Sequence, residues 1–287
     1  MTVIARLLQR TGVLLFCATA GTVALAQPEP SGGSLLGDAW ALDPATERVD
    51  LSLYRTNYLL PVRYSDRVNP HHGANLVGQP SEDKEAKFQM SFKARVLSAY
   101  DRRLGGWLAY TQQSHWQVYN AEASRPFRET NYMPEAIVVY DPRIEVLGLR
   151  WRLAGLSFAH ESNGQAAPQS RSWNRAIGML GFERGDFAVM LRPWTRLKES
   201  ADKDDNPDIT HYLGHGDLTL MYRWDRNSFS LMMRGGKGAV QAGWISRKWL
   251  GPLRGYVQVF SGYGESLIDY NWRQKTLGFG VALNDMF

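Results

Sequence analysis

The chain is 287 residues long with a formal net charge of +5, and its basic residues are scattered along it. That distribution excludes a Lys/Arg-block arm for nucleic acid, so no nucleic-acid partner is expected. Cys17 is the single cysteine and lies in an amino-terminal apolar segment, so a processed chain has no thiol for disulfides, zinc thiolates or a cysteine nucleophile.

At the amino terminus, Arg6 and Arg10 precede an apolar core over 11–23, and Ala24-Leu25-Ala26 forms an A-x-A cleavage site. Residues 1–26 are therefore expected to be a secretory signal peptide. Residues 27–46, with Pro28, Pro30, Gly32 and Gly33, are expected to be a mobile periplasmic lead-in, and 47–287 one barrel domain. After residue 26 no apolar run is long enough for a membrane-spanning helix.

The barrel domain alternates with period two. In KFQMSFKARV (87–96), Phe88, Met90, Phe92, Ala94 and Val96 oppose Lys87, Gln89, Ser91, Lys93 and Arg95. In DLTLMYRWD (217–225), Leu218, Leu220, Tyr222 and Trp224 share a face, and Leu277, Phe279, Val281, Leu283 and Phe287 do so at the end. Alternation gives each strand one apolar and one polar face. A soluble sandwich carries the same signal. Segments of about ten residues or more favour instead a transmembrane antiparallel β-barrel. So do aromatics near strand ends (Trp107, Trp116, Trp224, Trp244, Trp272), read as interfacial girdles, and a final strand ending on Phe287.

Twelve strands are predicted, near 52–63, 86–97, 106–118, 132–140, 146–162, 171–182, 186–197, 210–225, 228–235, 239–248, 251–263 and 272–287. An even number suits closure. Arg184-Gly185-Asp186 and Asp225-Arg226-Asn227 read as periplasmic turns; 119–131, 163–171 and 198–209 read as longer outer loops. The run Asp202, Asp204, Asp205, Asp208 reads as a solvated loop, since it lacks the Gly and terminal Glu of an EF-hand. His71, His72, His115, His211 and His215 have no ligand spacing and read as structural.

One stretch carries chemistry. In FAHESNGQ (158–165), His160 and Ser162 share a strand face about 7 Å apart at their Cβ atoms. Ala154, Leu156 and Phe158 fall on the same parity, so that face is expected to be the lipid face, with Glu161 pointing into the lumen. Arg150 and Arg152 also fall on it, where they could snorkel to the interface, unless a bulge changes the parity. A serine needs a base to become a nucleophile, and His160 can serve if a third group holds its tautomer. Asn174 on the next strand could accept the imidazole N–H without placing an ion against lipid.

These residues lie within a longer resemblance. YTQQSHWQ (110–117), SRPFRETNYMPE (124–135), HESNGQAAPQSRSWNR (160–175), DDNPDIT (204–210), SGYGESLIDYNW (261–272) and LNDMF (283–287) together resemble the outer membrane phospholipase A family, in the same order along the chain. The resemblance implies a twelve-stranded barrel in the bacterial outer membrane. It implies calcium-dependent phospholipase A1/A2 activity with lysophospholipase activity, acting on phospholipid through an acyl-enzyme. It assigns Ser162 as nucleophile, His160 as base, Asn174 as orienter and the Gly164 amide to the oxyanion. Calcium, bound at the interface of an active homodimer, would be held by the Gln165 carbonyl (Gln where the family more often has Arg), the Ser170 hydroxyl and Ser124 of the partner subunit. Asp205 matches a second calcium mode whose companion acidic position is Ala167 here. Gln112 is expected in the dimer interface and Phe127 in the acyl groove. The rival reading is a non-catalytic outer-membrane barrel, a porin or structural protein.

Overall fold

The computed structural model describes residues 33–42, 51–70, 80–202 and 204–285. The expected signal peptide, His71, His72 and Phe287 lie outside them. Among the described residues, fourteen β-segments form one antiparallel sheet. These are β1 (Leu51–Leu53), β2 (Tyr58–Ser65), β3 (Lys84–Ala99), β4 (Leu104–Trp116), β5 (Phe127–Tyr140), β6 (Ile144–Val146) and β7 (Leu149–Ser162), followed by β8 (Ser172–Arg184), β9 (Phe187–Leu197), β10 (Gly216–Trp224), β11 (Asn227–Arg234), β12 (Ala239–Leu250), β13 (Leu253–Tyr263) and β14 (Arg273–Ala282).

The sheet closes on itself. β14 pairs with β2, β2 with β3, and each further long strand with the next. β1 and β2 both pair with β3, at different heights, and β5 and β6 do the same along β7. They are two interrupted staves, so the cylinder is a twelve-stranded barrel. The first interruption is specified by Asn57, whose side chain donates to the Arg55 and Ser91 carbonyls at 2.8 and 2.9 Å in place of a backbone ladder.

The period-two code sets which side faces in. On β3, Met90, Phe92 and Val96 are exposed, whereas Lys87 and Lys93 are 1% and 0% exposed. The polar face is therefore the interior. Lys87 Nζ donates to Gln258 and Glu265 at 2.8 and 2.9 Å. On β5, Tyr132, Val138 and Tyr140 point outward and Arg128, Glu129, Asn131 and Glu135 inward.

Turns at one end are tight: Gly185-Asp186, Asp225-Arg226 and Gly251-Pro252. Asp225 and Arg226 both take positive φ (41° and 64°), the twist that joins two strands by a two-residue hairpin. Longer connections sit at the opposite end, including 163–171 and 264–272.

Several sequence expectations are corrected. Residues 127–131, expected in a loop, begin β5, because Arg128, Glu129 and Asn131 are polar for the barrel interior rather than for bulk water. The strand expected over 210–225 starts only at Gly216; Ile209–Leu213 is a short helix (α2) whose Ile209 and Leu213 pack inward. The last strand stops at Ala282. Trp107 is not a girdle residue but 1% exposed inside the barrel. Arg152 does not snorkel. A register shift between Trp151 and Leu153 turns it inward, where it bonds Asp141 at 2.9 Å and Glu183 at 3.5 Å. Within the stretch expected to be a lead-in, Leu35–Trp40 is a helix (α1) packed on β7, β8 and β9. The Leu36 amide donates to Glu183 at 2.9 Å, and Lys93 Nζ lies 3.8 Å from the Trp40 ring centroid.

Candidate active site on the outer wall

β7 and β8 are paired so that His160 lies directly opposite Asn174, and Ser162 opposite Ser172. Nδ1 of His160 and Oδ1 of Asn174 are 2.8 Å apart. His160 is exposed on the same face as Leu156 (48%) and Phe158 (54%), while Ser157 and Ala159 between them are buried. The pair therefore projects outward, as the alternation of β7 requires. Glu161 faces the interior, where it accepts from Trp173 Nε1 at 3.0 Å and Arg175 Nη2 at 2.6 Å.

Ser162 ends β7 and stands beside Tyr132 of β5, which is itself paired with Gln112 of β4. Gln112, Tyr132 and Ser162 thus run side by side around the outer wall. The Gln112 amide is half-buried, accepting from Tyr110 at 3.1 Å and donating to Ser114 at 3.3 Å. Phe127 stacks on Trp116 (5.3 Å between centroids) and meets Phe88 edge-on at 6.0 Å, an apolar shelf near the long-loop end.

The loop after Ser162 is built around Asn163, which is 4% exposed. Its Oδ1 accepts from the Arg171 and Gln165 amides at 3.0 and 3.3 Å, and its Nδ2 donates to the Gln169 carbonyl at 2.9 Å and to Glu129 at 3.3 Å. Gly164 takes φ +63°, a conformation that costs glycine least, and a Cβ there would come within 3.3 Å of the Tyr132 ring. Ser170 Oγ donates to Asp205 at 2.5 Å, so a hydroxyl and a carboxylate converge beside the loop. Ser124 sits apart, on the β4–β5 turn at φ +60°. Among the described residues no hydrogen bond joins it to the 163–171 loop, and no cluster of three or more His, Cys, Asp or Glu could hold a metal.

The acidic run is not simply solvated. Asp204 accepts from Arg196 at 2.5 Å, and Asp208 from the Tyr270 hydroxyl at 2.8 Å. Sequence reasoning missed Asn163 and Asn206, whose Oδ1 accepts from the Ser172 amide at 2.9 Å; both lie inside the motifs that carry the family resemblance. It also missed Glu199, which accepts from Asn174 Nδ2 at 2.6 Å. No local pattern around Glu199 signals this contact.

Fold and site together define an outer-membrane-type β-barrel that carries a hydrogen-bonded histidine and asparagine, with a serine beside them, on its outward face. A family model for phospholipase A1 matches residues 38–283, and the chain belongs to that family. It is 40% identical over 245 residues to a putative phospholipase A1 of Neisseria meningitidis serogroup B, a match covering 80% of this chain and 64% of the relative, so it spans slightly under two thirds of that protein. It is similar to the outer membrane phospholipase A of Escherichia coli, in an active-site asparagine-to-alanine mutant, at TM-score 0.79 and 33% identity, covering 88% of this chain and 100% of the other. The Salmonella typhi outer membrane phospholipase, a dimer with bound calcium, matches with the same TM-score, identity and coverage.

Proposed function

We propose that the protein is an outer-membrane phospholipase that cleaves acyl esters of phospholipids and lysophospholipids, with Ser162, His160 and Asn174 as its triad. The observation that carries the reading is the 2.8 Å His160–Asn174 contact on the outward face, with Ser162 two residues along. A set facing the barrel interior could not meet a lipid acyl chain; this one faces where the chains lie.

In this mechanism Asn174 Oδ1 accepts the Nδ1 proton of His160 and leaves Nε2 as the basic nitrogen. Nε2 takes the Ser162 proton as Oγ bonds to the ester carbonyl carbon, and the carbonyl oxygen becomes an oxyanion. The Gly164 amide donates to it. Collapse breaks the bond to the glycerol oxygen, which receives the proton from His160 and leaves as a lysolipid. Water, deprotonated by the same nitrogen, then attacks the acyl-Ser162 ester, releasing fatty acid and returning the proton to Oγ.

The Gln165 carbonyl, the Ser170 hydroxyl and the partner's Ser124 are hard oxygen donors without formal charge, a set that fits weakly held Ca2+, while Asp205, which accepts from Ser170, belongs to the second mode whose companion position is Ala167 here. When bound, that ion supplies positive charge for the oxyanion. Joining two copies along the Gln112 face would hide an amide that is costly against lipid, and would bring the second copy's Ser124 to the loop. The Phe127 shelf offers the acyl chain an apolar seat. Residues 1–26 serve as the export signal. The family membership, the structural likeness to a calcium-bound dimer and the outward triad support this reading in common.

The test is a sulfonylating inhibitor on the full-length protein in detergent with calcium. The expected result is stoichiometric labelling of Ser162 and parallel loss of fatty-acid release. Labelling elsewhere, or release that survives labelling, rejects the reading.

A further inference from the structure

A neutral orienter poses a problem that the structure answers. An asparagine amide can face a histidine with either its oxygen or its nitrogen, and only the oxygen leaves Nε2 as the base. Here the other half of the amide is spoken for. Glu199 Oε1 lies 2.6 Å from Asn174 Nδ2, and a carboxylate only accepts, so Nδ2 must face Glu199 and Oδ1 must face His160.

The position follows from the barrel register. Leu197 is paired with Asn174, so Glu199, two residues beyond, returns to the outward side just past the end of β9. It is half-buried, whereas Lys198 and Ser200 on either side are exposed. The groups around His160 on the outer wall are Tyr132 and Pro134 of β5, Leu197 of β9, and Phe158 and Ser162 of its own strand. Glu199 is the carboxylate next to that set; Lys198 flanks it, and Asp205 is engaged by Ser170 on the neighbouring loop.

We infer that Glu199 is a positioning residue for the reaction: it locks the Asn174 amide, thereby fixes the His160 tautomer, and adds a negative charge at one remove from the imidazolium. The inference rests on the triad reading above. The chain of bonds His160–Asn174–Glu199 polarises the amide, making Oδ1 a stronger acceptor than an isolated asparagine offers. The charge itself sits on a loop beyond the strand end, where water can solvate it, rather than on the wall.

The experiment makes Glu199→Ala and Glu199→Gln, each alone and combined with Asn174→Ala, in the full chain refolded in detergent and assayed with calcium. Glu199→Ala should lower kcat about tenfold with KM changed less than about twofold, and Glu199→Gln should lower it less. In the Asn174→Ala background, Glu199→Ala should change kcat less than about twofold. Equal loss in both backgrounds, or a loss carried by KM, would overturn the inference. Should the alanine variant fail the heat-modifiable mobility check for folding, the isosteric glutamine variant carries the same test. Ser162→Ala separates the two levels. If it still releases fatty acid the triad reading itself fails; if it is inactive while both Glu199 variants behave as wild type, only the role of Glu199 fails.

Discussion

Two polar clusters lie on opposite sides of the same wall. Inside, Glu85 accepts from Arg63 at 3.0 Å, from Arg128 at 2.9 and 3.0 Å and from His115 at 2.7 Å, and Arg128 reaches on to Asp269 at 3.0 Å. Outside, His160, Asn174 and Glu199 form a short chain, with no buried counter-ion among the described residues. Every member of the interior set is 5% exposed or less, whereas His160 stands in the open among Leu156 and Phe158. Polarity facing inward satisfies a closed interior and holds the strands together. Polarity facing lipid is costly, so its presence here calls for a chemical explanation.

Removing the nucleophile should have the largest effect. Ser162→Ala should cut fatty-acid release by roughly 10⁴-fold or more while leaving heat-modifiable mobility intact. An interior substitution should do the reverse. Arg128→Ala strands Glu85 and Asp269 without their shared cation, and should cost about 3–5 kcal/mol in denaturant unfolding from micelles, with activity per folded molecule retained. Asn174→Ala should fall between, losing about ten- to a hundredfold in kcat with unchanged unfolding, because a neutral orienter contributes less than a charged one.

The smallest effect is on acid stability. Burial by itself would raise the Asp269 carboxyl, but the Arg128 guanidinium, with bonds from Asn69 and Ser266, outweighs it and holds the group below its ordinary value. Glu265, on the same loop, is likewise depressed against its own burial by Arg63 and Lys87. A carboxyl lowered in the folded state contributes stability that is complete above its unfolded value, about 4, and disappears as pH falls below it. Unfolding midpoints should therefore hold steady above that range and drop beneath it, and Asp269→Asn should flatten the drop.

The barrel was legible because strands report themselves every second residue, and the twelve staves lie where the alternation puts them. The outward setting of His160 and Ser162 was legible for the same reason. What escaped was whatever breaks the period or depends on distant pairing. The bulge beside Arg152 moves that side chain from lipid to lumen; apolar Leu149, Trp151 and Leu153 mark a possible change of parity but do not locate it. Arg128 and Glu129 looked like loop residues because an interior lined with charge is indistinguishable, in sequence, from water. Trp107 looked interfacial because its partner, Trp40, comes from a helix packed inside the barrel, 6.3 Å away. Glu199 meets Asn174 only through the register of β8 on β9, which no spacing announces.

The bore of the barrel has a consequence of its own. The Leu35–Trp40 helix lies across one end, and residues 264–272 fold into the other, with Leu267, Ile268 and Asp269 each under 5% exposed. Between them remains a cavity of about 250 Å³ rimmed by Arg55, Arg175, Arg192 and Asp217. Among the described residues these segments fill both ends of the bore, and planar-bilayer recordings should show no steady ionic current. A cell can stud its envelope with this cylinder without becoming leakier.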